Sequence, residues 1–295
     1  MTGPKPYRYR VVDVFTREAL EGNPLAVFPD AASLSANLMQ KIARELNLSE
    51  TVFVLPPTRP ECAAKFRIFT PGNEMDFAGH PTIGTAYVLL DEAKLPPGTE
   101  QFMVEENVGP IAVSVESGPS PRIWLMTPPW REESVVDVAT AASLLGLKPG
   151  HLLAFSPEIL SAGNPTLFIP VRDRETVDRI AFDSAAWMRF KSSHPSPLCV
   201  FAFAPVPEGA YSRMFAPDYG VPEDPATGSS TGPLAVYMMK HHLVSSQADT
   251  RFYSEQGTKI GRRSILYVHI RGECGSQGIA VGGYVTPIIE GTLSL

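Results

Sequence analysis

The sequence predicts a duplicated α+β protein: two similar halves, each with strands around one apolar helix. Length, composition and an ordered set of repeated phrases carry this. The chain has 295 residues, about twice a domain of roughly 140 to 150 residues. Hydrophobic residues make up 44% and charged residues 19%, a globular composition with enough apolar material for two cores.

The repeats keep their order. G-N-P-L-A-V-F starts at Gly22 and G-N-P-T-L-F-I at Gly163, 141 positions later. R-I-F-T-P from Arg67 returns as R-M-F-A-P from Arg213, 146 positions on, and G-H-P-T-I-G-T-A from Gly79 parallels G-S-S-T-G-P-L-A from Gly228, 149 on. One recurring phrase is coincidence, whereas an ordered series with slowly drifting offset is an internal duplication.

Each half runs strand, Gly-Asn-Pro turn, strand, helix, strand, Arg-x-Phe-x-Pro strand, Gly-rich turn and central helix, then further strands. Met39, Ile42, Ala43 and Leu46 fall at helical spacing after Ser35, a suitable N-cap. The strand T-V-F-V-L follows from Thr51. Thr82–Leu90 reads as a helix with little charge on any face, hence buried all round, and Ser230–Leu243 is its counterpart. Prolines in T-P-P-W from Thr127 put the boundary there, giving halves 1–128 and 129–295, with the extreme C-terminal strand free to join the first. Val135–Leu145 reads as a helix ending at Gly146.

Composition removes several functions. A formal net charge of -6 without basic runs offers no footprint for nucleic acid. The opening M-T-G-P-K-P lacks an apolar leader, and no stretch approaches the ~18 apolar residues of a membrane span, so a cytoplasmic protein is expected. Cys62, Cys199 and Cys274 are odd in number and far apart, and read as core or strand residues rather than as disulfides. The adjacent His241 and His242 lack ligand spacing on a helix, so no metal is expected. G-T-K-I-G-R-R-S from Gly257 lacks the spacing of a phosphate loop, and no nucleotide-binding or serine-nucleophile motif is present.

Two apolar helices starting at Gly-rich turns would offer unpaired backbone N–H groups to an anion. The turn D-P-A-T-G-S-S from Asp224 is the stronger candidate, because small residues admit a carboxylate and hydroxyls add donors. The alternative is ordinary helix capping. His80 sits in the other turn, either as a structural histidine or as a group at the site, with Asp224 available to orient it. Glu50 is the sharpest candidate. At an offset of 148, T-V-F-V-L-P from Thr51 lies over C-V-F-A-F-A from Cys199 and Glu50 falls on Leu198, as expected of a single acid on a duplicated scaffold. A solvated rim glutamate is the plainer alternative.

These residues carry a family resemblance. V-D-V-F-T-R-E-A-L-E-G-N-P-L-A-V-F (12–28), A-R-E-L-N-L-S-E-T-V-F-V (43–54), R-I-F-T-P-G-N-E-M-D-F-A-G-H-P-T (67–82), E-D-P-A-T-G-S (223–229) and E-Q-G-T-K-I-G-R (255–262) together resemble the PhzF-like phenazine-biosynthesis family. The resemblance implies a diaminopimelate epimerase-like fold, with two pseudo-symmetric domains, each a β-barrel-like sheet around a central helix, and an active site in the interdomain cleft. It implies Glu50 as general acid/base, His80 and Asp224 as catalytic partners, and Gly79, Gly228, Ser229 and Asn23 as substrate-binding residues. Related epimerases use one cysteine from each half, and neither Gly-rich turn here has one, which leaves a one-base mechanism. The expected function is a cofactor-independent isomerase, a homodimer, moving a proton on a small unsaturated cyclic carboxylic acid similar to trans-2,3-dihydro-3-hydroxyanthranilate. The alternative is a non-catalytic ligand-binding or protein-interaction member of the fold.

Overall fold

The computed structural model describes residues 5–295. Met1–Pro4, part of the segment read as lacking a leader, lie outside the described residues. The chain forms two compact units, one ending at Met126 and regaining Val281–Leu295, the other Thr127–Ala280. No helix among the described residues is long and apolar enough to cross a membrane.

The first unit contains β1 (Pro6–Val14), β2 (Asn23–Phe28), α1 (Ala36–Leu46), β3 (Glu50–Leu55), β4 (Cys62–Phe69), β5 (Glu74–Met75), α2 (Gly79–Asp91), β6 (Gln101–Glu106), β7 (Gly109–Glu116) and β8 (Arg122–Met126). The second contains β9 (Arg131–Val135), α3 (Val138–Leu144), β10 (Glu158–Ser161), β11 (Pro165–Pro170), α4 (Arg174–Asp178), α5 (Ser184–Lys191), β12 (Cys199–Val206), β13 (Gly209–Ala216), β14 (Val221–Asp224), α6 (Gly228–Lys240), β15 (Thr250–Gln256) and β16 (Ser264–Ile270). Then β17 (Ile279–Gly283) leads the chain back to the first unit, where β18 (Val285–Ser294) pairs antiparallel with β1.

The duplication is physical. In the first unit β2 runs parallel to β3 and β4 to β6, and in the second β11 runs parallel to β12 and β13 to β15. The arginines of the repeated Arg-x-Phe-x-Pro strands each grip a glutamate with two nitrogens. Arg67 Nε and Nη2 lie 2.8 and 2.6 Å from Glu74, while Arg213 Nε and Nη2 lie 2.8 and 2.7 Å from Glu223. Each β2-type strand is entered through a glycine. Gly22 has φ +68°, and a Cβ there would sit 2.4 Å from the Val14 carbonyl oxygen, so only glycine fits the turn that delivers Asn23.

The helices follow their sequence signals with informative differences. Ser35 caps α1 by accepting the Leu38 N–H, Met39, Ile42 and Ala43 are buried, and Asn47 ends the helix at φ 51°. Helix α2 starts at Gly79, three residues before the apolar stretch read as helix, because a proline in the first turn needs no N–H donor. Helix α6 likewise starts at Gly228, and ends at Lys240 rather than Leu243 because His242 turns to φ 54°. Helix α3 begins at Val138 with Asp137 as its cap, so Val135 belongs to β9 instead. Gly146 follows it at φ +65°.

Two sequence expectations are overturned. Cys274 is exposed, in a short turn at φ 50°, rather than in a core. More consequential, the counterpart of Glu50 is Cys199 and not Leu198. Val27 pairs with Val52, and Phe168 with Phe201. Phe53 pairs with Arg67, and Ala202 with Arg213. Carrying Val27 to Phe168 and Arg67 to Arg213 makes both registers equate the strands at an offset of 149 (201 − 52 and 202 − 53). Slipping by one residue exchanges the faces of a strand. Accordingly Leu198 packs among the buried residues around Trp187 and Phe190 of α5, whereas Cys199 packs with Leu234 and Tyr237 of α6. The Val-Phe dipeptide shared by both strands is a local coincidence one position out of register.

Candidate active site

In the first unit, parallel pairing sets the ends of β2 and β3 side by side, with Leu25 opposite Glu50. Asn23 opens β2, Glu50 opens β3, and His80 lies in the first turn of α2, a helix with ten buried residues. These three side chains form a chain of contacts. Asn23 Nδ2 is 3.3 Å from His80 Nδ1, and His80 Nε2 is 3.2 Å from Glu50 Oε2. Asn23 is fully buried and His80 4% exposed, while the Glu50 side chain keeps 13% exposure.

Chemistry fixes the direction of the Asn23–His80 contact. The Asn23 amide nitrogen only donates, so His80 Nδ1 accepts and the ring hydrogen sits on Nε2, which lies 3.2 Å from Glu50 Oε2 but outside hydrogen-bond geometry. Burial pushes the His80 pKa down to about 3, since desolvation disfavours the imidazolium. His80 is thus neutral at neutral pH, and it places no cation beside Glu50. Gly79 precedes it as the first residue of α2 and has no side chain to obstruct that turn.

The second unit holds the other predicted residues around the start of α6. Asp224 ends β14, and Thr227 Oγ1 donates to its Oδ2 at 2.5 Å. Gln256, the last residue of β15, donates through Nε2 to the Asp224 carbonyl at 2.7 Å and to Thr227 Oγ1 at 3.1 Å, and its Oε1 accepts the Thr227 N–H at 3.2 Å. Gly228 and Ser229 are the first two residues of α6. Asn164 Nδ2 lies 3.5 Å from Ser229 Oγ, repeating the Asn23–His80 contact on the equivalent residues.

The structure therefore gathers Glu50, His80, Asn23 and Gly79 in the first unit, and Asp224, Gly228 and Ser229 in the second. Each unit carries an acid that its partner lacks, since Glu50 corresponds to Cys199 and Asp224 to Met75, which occupies the same place opposite β4 as Asp224 does opposite β13. Thr227, Gln256 and Asn164 escaped the sequence reading as site residues. Asn164 had a signal, the second Gly-Asn-Pro, and Gln256 stood unremarked inside E-Q-G-T.

Paired units of this construction, each a mixed sheet holding a buried helix whose first turn faces the strand starts, define a class of duplicated α+β proteins. Residues 12–291 match the model of the PhzC-PhzF family, described as phenazine biosynthesis-like protein, and the chain belongs to this family. An uncharacterized isomerase of Mesorhizobium japonicum is 38% identical over 97% of this chain and 98% of its own length. The trans-2,3-dihydro-3-hydroxyanthranilate isomerase of Pseudomonas aeruginosa is 36% identical, covering 90% of this chain and 91% of its own. The crystal structure of a PhzF-family phenazine biosynthesis protein of Bacillus anthracis superposes with a TM-score of 0.87 at 23% identity, over 99% of this chain and 100% of that one, and shares the fold.

Proposed function

We propose that this protein is an isomerase that moves a proton on a small unsaturated cyclic carboxylic acid, with Glu50 as its single acid/base group and no cofactor. The observation that carries this is the Asn23–His80–Glu50 cluster, in which a buried neutral imidazole lies 3.2 Å from a carboxylate that keeps partial exposure. Glu50 takes a proton from a substrate carbon, the electron pair left behind moves along the conjugated system, and the resulting carboxylic acid returns the proton at the far end of that system. The substrate's composition is unchanged, and Glu50 ends as it began. The backbone N–H groups of Gly228 and Ser229 at the start of α6 suit a substrate carboxylate, and Asp224 and His80 position polar substituents.

Several relatives carry the word isomerase in their names, which supports the reaction class, and trans-2,3-dihydro-3-hydroxyanthranilate is the first substrate to test. The proposal places the protein in the cytoplasm as a homodimer. It has no nucleic-acid partner, in keeping with a net charge of -6. Light scattering at micromolar concentration should return twice the chain mass, and a monomer would remove the dimer from the proposal. For the reaction, the test is incubation in deuterated water with that acid and a panel of related cyclic amino and hydroxy acids. Isomerisation with solvent deuterium on a product carbon is expected. Tight binding of one of these acids without exchange would instead identify a non-catalytic ligand-binding member of the fold.

A further inference from the structure

Glu106, the last residue of β6, is a carboxyl group that the proposed reaction does not use, and it is only 3% exposed. Its Oε1 lies 2.5 Å from Thr82 Oγ1. Thr82 Oγ1 is in addition 2.7 Å from the Ala78 carbonyl oxygen. A hydroxyl has one hydrogen and a carbonyl oxygen has none. If the Thr82 hydrogen points to Ala78, the hydrogen in the 2.5 Å contact belongs to Glu106.

The second unit shows which arrangement applies. Ala78 and Thr82 correspond to Thr227 and Thr231 at the 149-residue offset of the central helices, and Thr231 Oγ1 donates to the Thr227 carbonyl at 2.9 Å. The residue ending β15 there, at the place of Glu106, is Gln256. It is fully buried, accepts the Thr227 N–H through Oε1 and donates through Nε2. A carboxamide donates and accepts at once. A carboxyl group does so only when it holds its proton.

We propose that Glu106 is a positioning residue kept in its protonated form, and that its carboxylic acid does for α2 what the carboxamide of Gln256 does for α6: it ties off the helix start so that the first-turn side chain, here His80, meets its partners. The role in catalysis rests on the function proposed above, whereas the protonation does not. The surroundings agree. Of the titratable groups nearby, Lys65 on β4 is bound to Glu105, Glu74 of β5 is held by Arg67, His80 of α2 turns to Asn23 and Glu50, and Asp76 is exposed. Among the described residues no cation offsets the burial, which raises the Glu106 pKa to about 8.

Infrared spectra of the whole protein between pH 6 and 10, compared with Glu106→Gln, test the protonation directly. A carbonyl band of a buried carboxylic acid should be present at pH 6, fade as pH rises through about 8 and be missing from the variant. Its absence from wild type at pH 6 would overturn the proposal. Deuterium exchange tests the positioning. Glu106→Leu should lose about 10²-fold in exchange rate, and the conservative Glu106→Gln should recover most of that loss. If Glu106→Gln were as impaired as Glu106→Leu, the shared role with Gln256 would be wrong. Should Glu106→Leu fail to fold, the spectra and the glutamine variant still decide. Wild type with the infrared band but no exchange on any acid would sink the proposed function and leave the protonated Glu106 standing.

Discussion

His80 Nε2 stands 3.2 Å from Glu50 Oε2, while Asn23 occupies the other ring nitrogen at 3.3 Å. The asparagine decides which nitrogen carries the hydrogen, and hence that the protonated nitrogen is the one nearest the carboxylate. Substituting Asn23 by Leu keeps the volume and removes the amide. The ring is then free to adopt the other tautomer, and the exchange rate should fall by about 10²-fold, with the imidazole ¹⁵N shifts reporting the tautomer change. An unaltered rate would mean that the tautomer is set by something other than Asn23.

Glu106 makes stability depend on pH in a direction opposite to that of a salt-bridged acid. Its pKa is about 8 in the folded protein, against an ordinary value of 4.5. Between about pH 4.5 and 8 the folded chain holds a proton that the unfolded chain has released, so stability falls as pH rises across this window and levels off above it. Relative to Glu106→Gln, wild type should lose on the order of a few kcal/mol from pH 5 to pH 8, read from urea midpoints. A difference that stays flat over that range would show that Glu106 is ionised when folded.

Thr227 links Asp224 to Gln256, donating to one at 2.5 Å and accepting from the other at 3.1 Å. Thr227→Val preserves the shape and removes one hydrogen bond from each of Asp224 and Gln256. Unfolding free energy should drop by about 1–3 kcal/mol, measured by denaturant titration, and substrate affinity should weaken because Asp224 loses its fixed orientation. A fully stable variant with normal affinity would show that the link is dispensable.

How far the sequence discloses this arrangement depends on the residue. Helix α1 is legible because an amphipathic stripe and a Ser35 cap mark it, whereas α2 and α6 look shorter or longer than they are because prolines and glycines hide their ends. Asn23, Glu50 and His80 stand in recognisable phrases, yet their contacts depend on parallel pairing of β2 with β3, which no local pattern encodes. Glu50 and Leu198 appear equivalent because Val-Phe occurs in both strands, and only hydrogen-bond register separates offsets of 148 and 149. Glu106 is the hardest to foresee. A glutamate beside a second glutamate reads as solvated surface, and its burial becomes visible only when α2 is seen to start at Gly79 and Gln256 is seen in the same place.

Deuterium exchange by Glu50→Gln is the most direct test of the central claim. Glutamine keeps the length and hydrogen-bonding capacity of the side chain, but it cannot take up and return a proton. The variant should fold, bind substrate with near wild-type affinity and exchange protons at least about 10²- to 10⁴-fold more slowly. Exchange at the wild-type rate would contradict the single-base account and move the search for the base to Asp224.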